Sequence, residues 1–487
     1  MSRNRLLVIV SVFSAIFVTL ATEGCSQKYA HAPARRDVPS YKELAYPPLG
    51  DLRIPDVKRL KLANGMQLFL LEDHELPVIN MSAMIRTGSI YEPADKIGLA
   101  SITGTVMRTG GTTTKTGDEI DEALESIAAS VETDIGLNFG SASMFVFKED
   151  LDMGLALLAD VLRNPAFAQD KIELAKMQQR SLISRRNDDP GEIVYREFNK
   201  LIYGPRSVYA RQAEYATIDN ITRDDLVAFH GKFYHPNNIM LAVWGDFDME
   251  QMIARLQKAF GEWEKTDIEI PAVPSVQYEF RPTVNLARKD DIDQACILLG
   301  HIGGLMSDPD YFTLQVMTRA LFLRVYKEVR SREGLAYAVH AYYGSEFDHP
   351  GVFEGFCQTK SKSTVYAIRA IVSEVRKITA SEISDKELAL AKEWILNSFV
   401  FNFDTKGKIV NRLMTYEYFG YPADFLQKTK ENVEKATKAD VLRVARKHLQ
   451  PDKVQILVVG RPDDFDEPLS VLGLVTEIDI TIPPPKR

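Results

Sequence analysis

Cysteine is scarce. Only Cys25, Cys296 and Cys357 occur in 487 residues, too few for a disulfide scaffold or a cysteine-rich metal cluster. With eight histidines, any metal would depend on a few imidazoles and carboxylates. A basic excess is also missing: 59 Lys and Arg stand against 67 Asp and Glu, a formal charge of -8, which leaves no electrostatic footprint for nucleic acid. The apolar run that opens the chain, Leu6 to Ala21, has 16 residues, short of the roughly 20 that span a bilayer as a helix. What is present, 45% hydrophobic and 26% charged residues, is ordinary globular composition that can bury a large core.

Residues 1–25 place Arg3 and Arg5 before that apolar run and turn polar after it, the layout of an export signal. Cys25 follows Gly24 directly and resembles the lipidation site of bacterial lipoproteins. The expectation is an exported, periplasmic chain held to the membrane through Cys25, with cleavage to a soluble exported form or an uncleaved anchor as alternatives. Residues 26–54 carry prolines and few apolar residues in sequence and read as an extended tether.

The remainder reads as a tandem duplication. The stretch from Ile221, ITRDDLVAFHGKFYHPNNIMLAVWGDF, matches the one from Ala436, ATKADVLRVARKHLQPDKVQILVVGRP, at a constant offset of 215. Thr222 pairs with Thr437, Asp225 with Asp440, Pro236 with Pro451 and Gly245 with Gly460. Each copy predicts a Thr-capped helix, a proline stop and a buried strand closed by glycine. A second echo is Gly-Leu-Ala at 98–100 and again at 334–336. Strands and helices mix without strict alternation, so the fold expected is α+β, two homologous α/β-layered domains. The boundaries are 55–265 and 278–484, with 266–277 as a linker.

The duplication, together with IGLASITGTVMRTGGT (97–112), KEDLDMGLALLADVLRNPAF (148–167) and LRVYKEVRSREGLAYAV (323–339), resembles the insulinase/pitrilysin-type zinc metallopeptidases, whose relatives include mitochondrial processing peptidase. The resemblance implies domains of the processing-peptidase type over nearly all of 55–484. It also implies a zinc motif, HxxEH, on the helix after Gly-Leu-Ala. Two imidazoles four residues apart grip the metal on one helical face, and the glutamate serves as general base. Here Ser101 and Thr105 stand at the histidine positions and Gly104 at the glutamate. Where the third ligand, a downstream glutamate, belongs, the chain has Ser181 and Leu182. Hydroxyls are poor zinc ligands and glycine moves no proton, so this chain is expected to bind no metal.

No other zinc site replaces it. His230 and His235 are five apart, about 140° around a helix rather than on one face, and read as a surface and a helix-end histidine. His74-Glu75 begins a zinc-like string that fails at Val78. His340 and His349 flank a hairpin, and Cys296 and Cys357, set among apolar residues, read as buried thiols.

The second half keeps its motif. By resemblance, an Arg and a Tyr seven residues apart hold the substrate carbonyl and stabilise the tetrahedral intermediate, and Arg330 and Tyr337 occupy those positions. Read singly, they would be a helix-end salt-bridging residue and a core aromatic. The motif implies the non-zinc subunit of an exported heterodimeric metallopeptidase, pairing Arg330 and Tyr337 with the zinc site of a homologous HxxEH-bearing subunit that cuts peptides or unfolded proteins. The runner-up is a catalytically inert peptide-binding or assembly subunit, and the third reading an independent hydrolase.

Overall fold

The computed structural model describes residues 55–485; the expected export signal, Cys25 and the expected tether lie outside the described residues. The first half runs β1 (Lys58–Lys61), β2 (Gln67–Glu72), β3 (Val78–Ile85), α1 (Leu99–Thr109), α2 (Gly117–Ser126), β4 (Ser130–Ile135), β5 (Gly140–Phe147), α3 (Leu151–Arg163), α4 (Gln169–Arg185), α5 (Pro190–Tyr203), α6 (Tyr215–Asp219), α7 (Arg223–Phe233), β6 (Ile239–Gly245) and α8 (Met249–Phe260). The second runs β7 (Thr283–Arg288), β8 (Gln294–Ile302), β9 (Gly304–Leu305), α9 (Tyr311–Val325), β10 (Ala336–Tyr343), β11 (Ser345–Glu346), β12 (Val352–Lys360), α10 (Thr364–Ala380), α11 (Asp385–Phe399), α12 (Lys406–Phe419), α13 (Phe425–Lys435), α14 (Lys438–His448), β13 (Gln455–Gly460) and β14 (Val475–Glu477).

Each half builds a six-stranded sheet, in the orders β1-β2-β6-β3-β5-β4 and β14-β7-β13-β8-β12-β10. The last five positions of the two orders correspond strand for strand. Both Thr-capped helices are present: Thr222 and Thr437 each accept from the backbone N–H of an Asp three residues on, whose carboxylate returns the bond. Such a box satisfies two N–H groups that a helix start would otherwise leave unpaired.

The Gly-Leu-Ala echo does not survive. Gly98, at φ 106°, precedes helix α1, whereas Gly334, at φ 62°, precedes strand β10. Gly suits either start because it adopts positive φ without a Cβ clash. The helix that corresponds to α1 is α9.

Both sheets are buried on two faces, and for that reason β6 and β13 read as unbroken apolar runs. Alternate residues separate the two environments. Leu241 and Val243 of β6 join the core under the first half's own helices, while Met240 and Ala242 face the other way. That second face is covered by α12 from the second half, through Ile409, Val410 and Met414. The second sheet mirrors this: Ile456 and Val458 face its own helices, whereas Leu457 and Val459 meet Ile193, Val194, Phe198 and Ile202 of α5 from the first half. The two halves thus exchange equivalent helices. At Gly407, α12 approaches so closely that a Cβ would lie 2.8 Å from the Trp244 ring.

Candidate functional site

Helix α1 carries Ser101, Gly104 and Thr105, the positions that correspond to the zinc motif. Its first turn is held by Glu92, whose Oε1 accepts from the N–H groups of Ala100 at 2.6 Å and Gly98 at 3.2 Å. Burial raises the Glu92 carboxyl to about 7, against the opposing pull of those backbone donors and of Arg211. Ser101 is half-buried, and its hydroxyl accepts from Gln179 Nε2 of α4 at 3.2 Å.

Gly104 is the decisive position. A Cβ there would lie 2.5 Å from Ile135 N and 2.8 Å from Asp134 C, backbone atoms of β4. Thr133 Oγ1 donates to the Gly104 carbonyl at 2.6 Å and draws the strand and helix together. The place of the general base is therefore filled by the main chain of β4. Neutral hydroxyls at Ser101 and Thr105, a neutral amide at Gln179 and a sealed glycine do not fit zinc.

Ser181 and Leu182, where the third ligand was sought, are both exposed, Leu182 at 64%. The α4 residue that reaches Ser101 is Gln179, which the motif alignment missed by two positions. Its signal was the helical spacing: Ile172, Ala175 and Ile183 are the buried face of α4, and Gln179, four from each of the last two, shares it.

The second half holds its two residues on irregular backbone. Past Val325 the helix widens into a π-helical segment, Tyr326–Arg332, closed by a Glu333 N–H that donates five residues back to Glu328. Gly334 then turns the chain into β10. Against β12, Ala336 faces Thr359 and Ala338 faces Gln358, so Tyr337 is the extra residue of a β-bulge. π-segments and bulges both concentrate at functional sites, where they re-aim side chains. Tyr337 is 73% exposed, contrary to a core role. Arg330 Nη1 donates to the Tyr337 carbonyl at 2.6 Å, and its guanidinium lies 5.6 Å from the Tyr326 ring centroid. Sequence spacing of seven thus becomes direct contact. Among the described residues no hydrogen bond or ion pair joins this pair to Ser101, Gly104 or Thr105.

The remaining candidates resolve as structure. His230 is not a surface residue: its ring stacks on Tyr234, its Nε2 lies 3.0 Å from the Leu162 carbonyl, and burial pushes it down to about 4. His235 bonds the Gly231 carbonyl at the end of α7. His74 bridges Glu72 and Asp246. His340 meets Glu354 and Tyr195, while His349 stacks on Tyr209. Cys296 and Cys357 are buried, each thiol pushed up to about 12 by burial. Among the described residues one grouping has metal-like spacing, Asp308, Asp310 and His448. Lys447 and Arg443 already sit 2.7 Å from the Asp310 oxygens and hold its carboxyl well below its usual range.

The sequence patterns of two family segments match this chain. Residues 69–205 match insulinase (peptidase family M16), and residues 220–394 match the peptidase M16 inactive domain. The chain belongs to the insulinase family. Among its relatives is an uncharacterised zinc protease of Rickettsia felis, 24% identical over 68% of this chain and 80% of its own length. Another is the non-peptidase homologue YmxG of Helicobacter pylori, 22% identical over 80% of this chain and 90% of its own. The crystal structure of a peptidase M16 inactive domain from Pseudomonas fluorescens shares the fold with a TM-score of 0.74 at 22% identity, covering 84% of this chain and 98% of that one. Within the insulinase family, this chain is a non-catalytic member, with none of the four zinc-site side chains in place.

Proposed function

We propose that this insulinase-family chain is the non-zinc subunit of a two-chain metallopeptidase, lending Arg330 and Tyr337 to the HxxEH site of a homologous partner. The observation that carries the reading is the solvent-exposed Tyr337, lifted from the sheet by a bulge and held at its carbonyl by Arg330. A guanidinium and a phenol can each donate to a substrate carbonyl and to the oxyanion that replaces it, and the loss of one such donor costs roughly 3 to 4 kcal/mol. The reading is supported by the first half, which has no histidine or carboxylate at positions 101, 104 and 105 and whose place for the base is closed at Gly104. The substrate class is peptides or unfolded segments. Export and a lipid anchor at Cys25 belong to the same proposal and rest on residues 1–25.

One observation favours a second reading, an inert binding or assembly subunit: the Arg330 guanidinium already spends a hydrogen bond on the backbone. Coexpression separates the readings, whereas metal analysis and acylation test what they share. Metal analysis of the purified chain should find less than a tenth of an equivalent of zinc, and radiolabelled palmitate should enter the wild-type chain but not Cys25→Ala. Coexpression with an HxxEH homologue should give peptidase activity that neither chain has alone; an active pair indifferent to Arg330 and Tyr337 leaves only the assembly role.

A further inference from the structure

The Arg330–Tyr337 pair does not stand alone on its surface. Residues 319, 322, 326 and 330 follow one another at spacings of three and four along α9 and the π-segment, so they share a face. Their side chains form a continuous row. The Arg319 guanidinium lies 3.4 Å from the Trp394 ring centroid of α11 and 4.5 Å from that of Phe322. Phe322 stacks on Tyr326 at 5.8 Å, and Tyr326 carries Arg330 at 5.6 Å. Trp394 is 51% exposed, which is costly for so large an apolar surface unless something covers it.

The charges on this row are unanswered. The neighbouring Arg324 and Arg332 are paired with Glu387 and Glu328. Arg319 and Arg330 have no ion pair among the described residues, and Arg319 Nε, buried between the rings, has no acceptor at all. Two rigidly stacked guanidiniums without a carboxylate, in a chain whose formal charge is -8, form an isolated positive feature that complements an anion. The aromatic faces between them suit apolar side chains. A nucleic-acid strand would require a cation at each phosphate, and here cations stand only at the two ends.

We infer that this row is a binding track for an extended peptide with an acidic side chain, whose carboxylate pairs with Arg319 when its backbone lies at Arg330. The inference rests on the reading of Arg330 and Tyr337 as a substrate-binding pair, and it adds a specificity determinant to that site. Arg330 stands eleven positions after Arg319, at most roughly 16 Å at the α-helical rise, a little less because the last steps run through the π-segment. An extended peptide advances about 3.3 Å per residue, so the acidic side chain falls about five residues from the peptide bond held at Arg330.

The test uses the intact chain alone. Two fluorescein-labelled decapeptides of Ser, Gly and Leu, identical except for one Glu or Gln near an end, are titrated by fluorescence anisotropy. The Glu peptide should bind about tenfold more tightly, the scale of one hydrogen bond to a charged group. Arg319→Gln should abolish that preference, so that the Glu and Gln peptides bind the variant alike. Equal binding of the two peptides to the wild-type chain overturns the inference, and this comparison stands even where the variant does not fold. Arg330→Ala separates the two readings. If it weakens both peptides alike, the whole track is in use. If the Glu preference and both affinities persist, the Arg319 subsite stands and the role of the Arg–Tyr pair falls.

Discussion

Arg330 Nη1 donates to the carbonyl of Tyr337 at 2.6 Å, tying the end of a π-helical segment to a bulge in the edge strand. The bond anchors the Arg330 guanidinium to the main chain of Tyr337 without a carboxylate. Because Tyr337 is exposed, removal of its hydroxyl should leave the fold intact. Tyr337→Phe is expected to match the wild-type melting temperature within about 1 °C, in keeping with surface substitutions. A differential scanning measurement checks this, and a large drop would mean that the phenol is structural.

Gly104 yields a prediction opposite to helix propensity. Alanine in a helix is normally favoured over glycine by about 1 kcal/mol. Here its Cβ would press on the backbone of β4, so Gly104→Ala should instead destabilise by about 1 to 3 kcal/mol, the range for overpacking. The triple variant Ser101→His, Gly104→Glu, Thr105→His should fail to bind stoichiometric zinc. Urea unfolding and metal analysis read the two outcomes.

Much of this layout was legible beforehand. The offset of 215 located α7 against α14 and β6 against β13, because capping threonines and buried apolar runs are local signals. Helix exchange was not legible: the pattern in α5 and α12 shows that one face is buried, but it does not say beneath which sheet. The Gly-Leu-Ala echo misled because glycine at positive φ opens a helix at 98 and a strand at 334. Gln179 lies outside the family motif, and only its spacing from Ala175 and Ile183 on α4 places it inward. Nor could the sequence announce the bulge at Tyr337, which depends on register with β12.

The exchanged helices predict cooperativity. Each sheet needs a helix from the other half to cover it, so calorimetry should find one unfolding transition for 55–485 rather than two. Gly407→Val, forced against the Trp244 ring, should lower the stability of the whole by about 1 to 3 kcal/mol.

Glu92 should shape the pH profile. Burial raises its carboxyl from 4.5 to about 7 in the folded chain. Its stabilising contribution is therefore complete below pH 4.5 and is lost as pH rises through about 7. The stability of the wild type relative to Glu92→Gln should fall over that window by about 3 kcal/mol. Denaturant titrations at pH 5 and pH 8 measure the difference.

His301 works in the opposite direction. Its Nδ1 lies 2.7 Å from the Ile302 carbonyl and its Nε2 accepts from Gln450 N at 3.1 Å, an arrangement satisfied by the neutral ring alone. Burial depresses it from 6.5 to about 4, so its contribution is present above pH 6.5 and lost as pH falls toward 4. His301→Gln should flatten the acid limb of the stability curve by about 3 kcal/mol across that window.

The most direct test of the central claim is reconstitution with an HxxEH-bearing homologue. The pair should cleave an unstructured peptide, and Arg330→Ala with Tyr337→Phe in this chain should cut kcat by about 100-fold to 1000-fold while both chains still copurify. Undiminished kcat in that double variant would contradict the account.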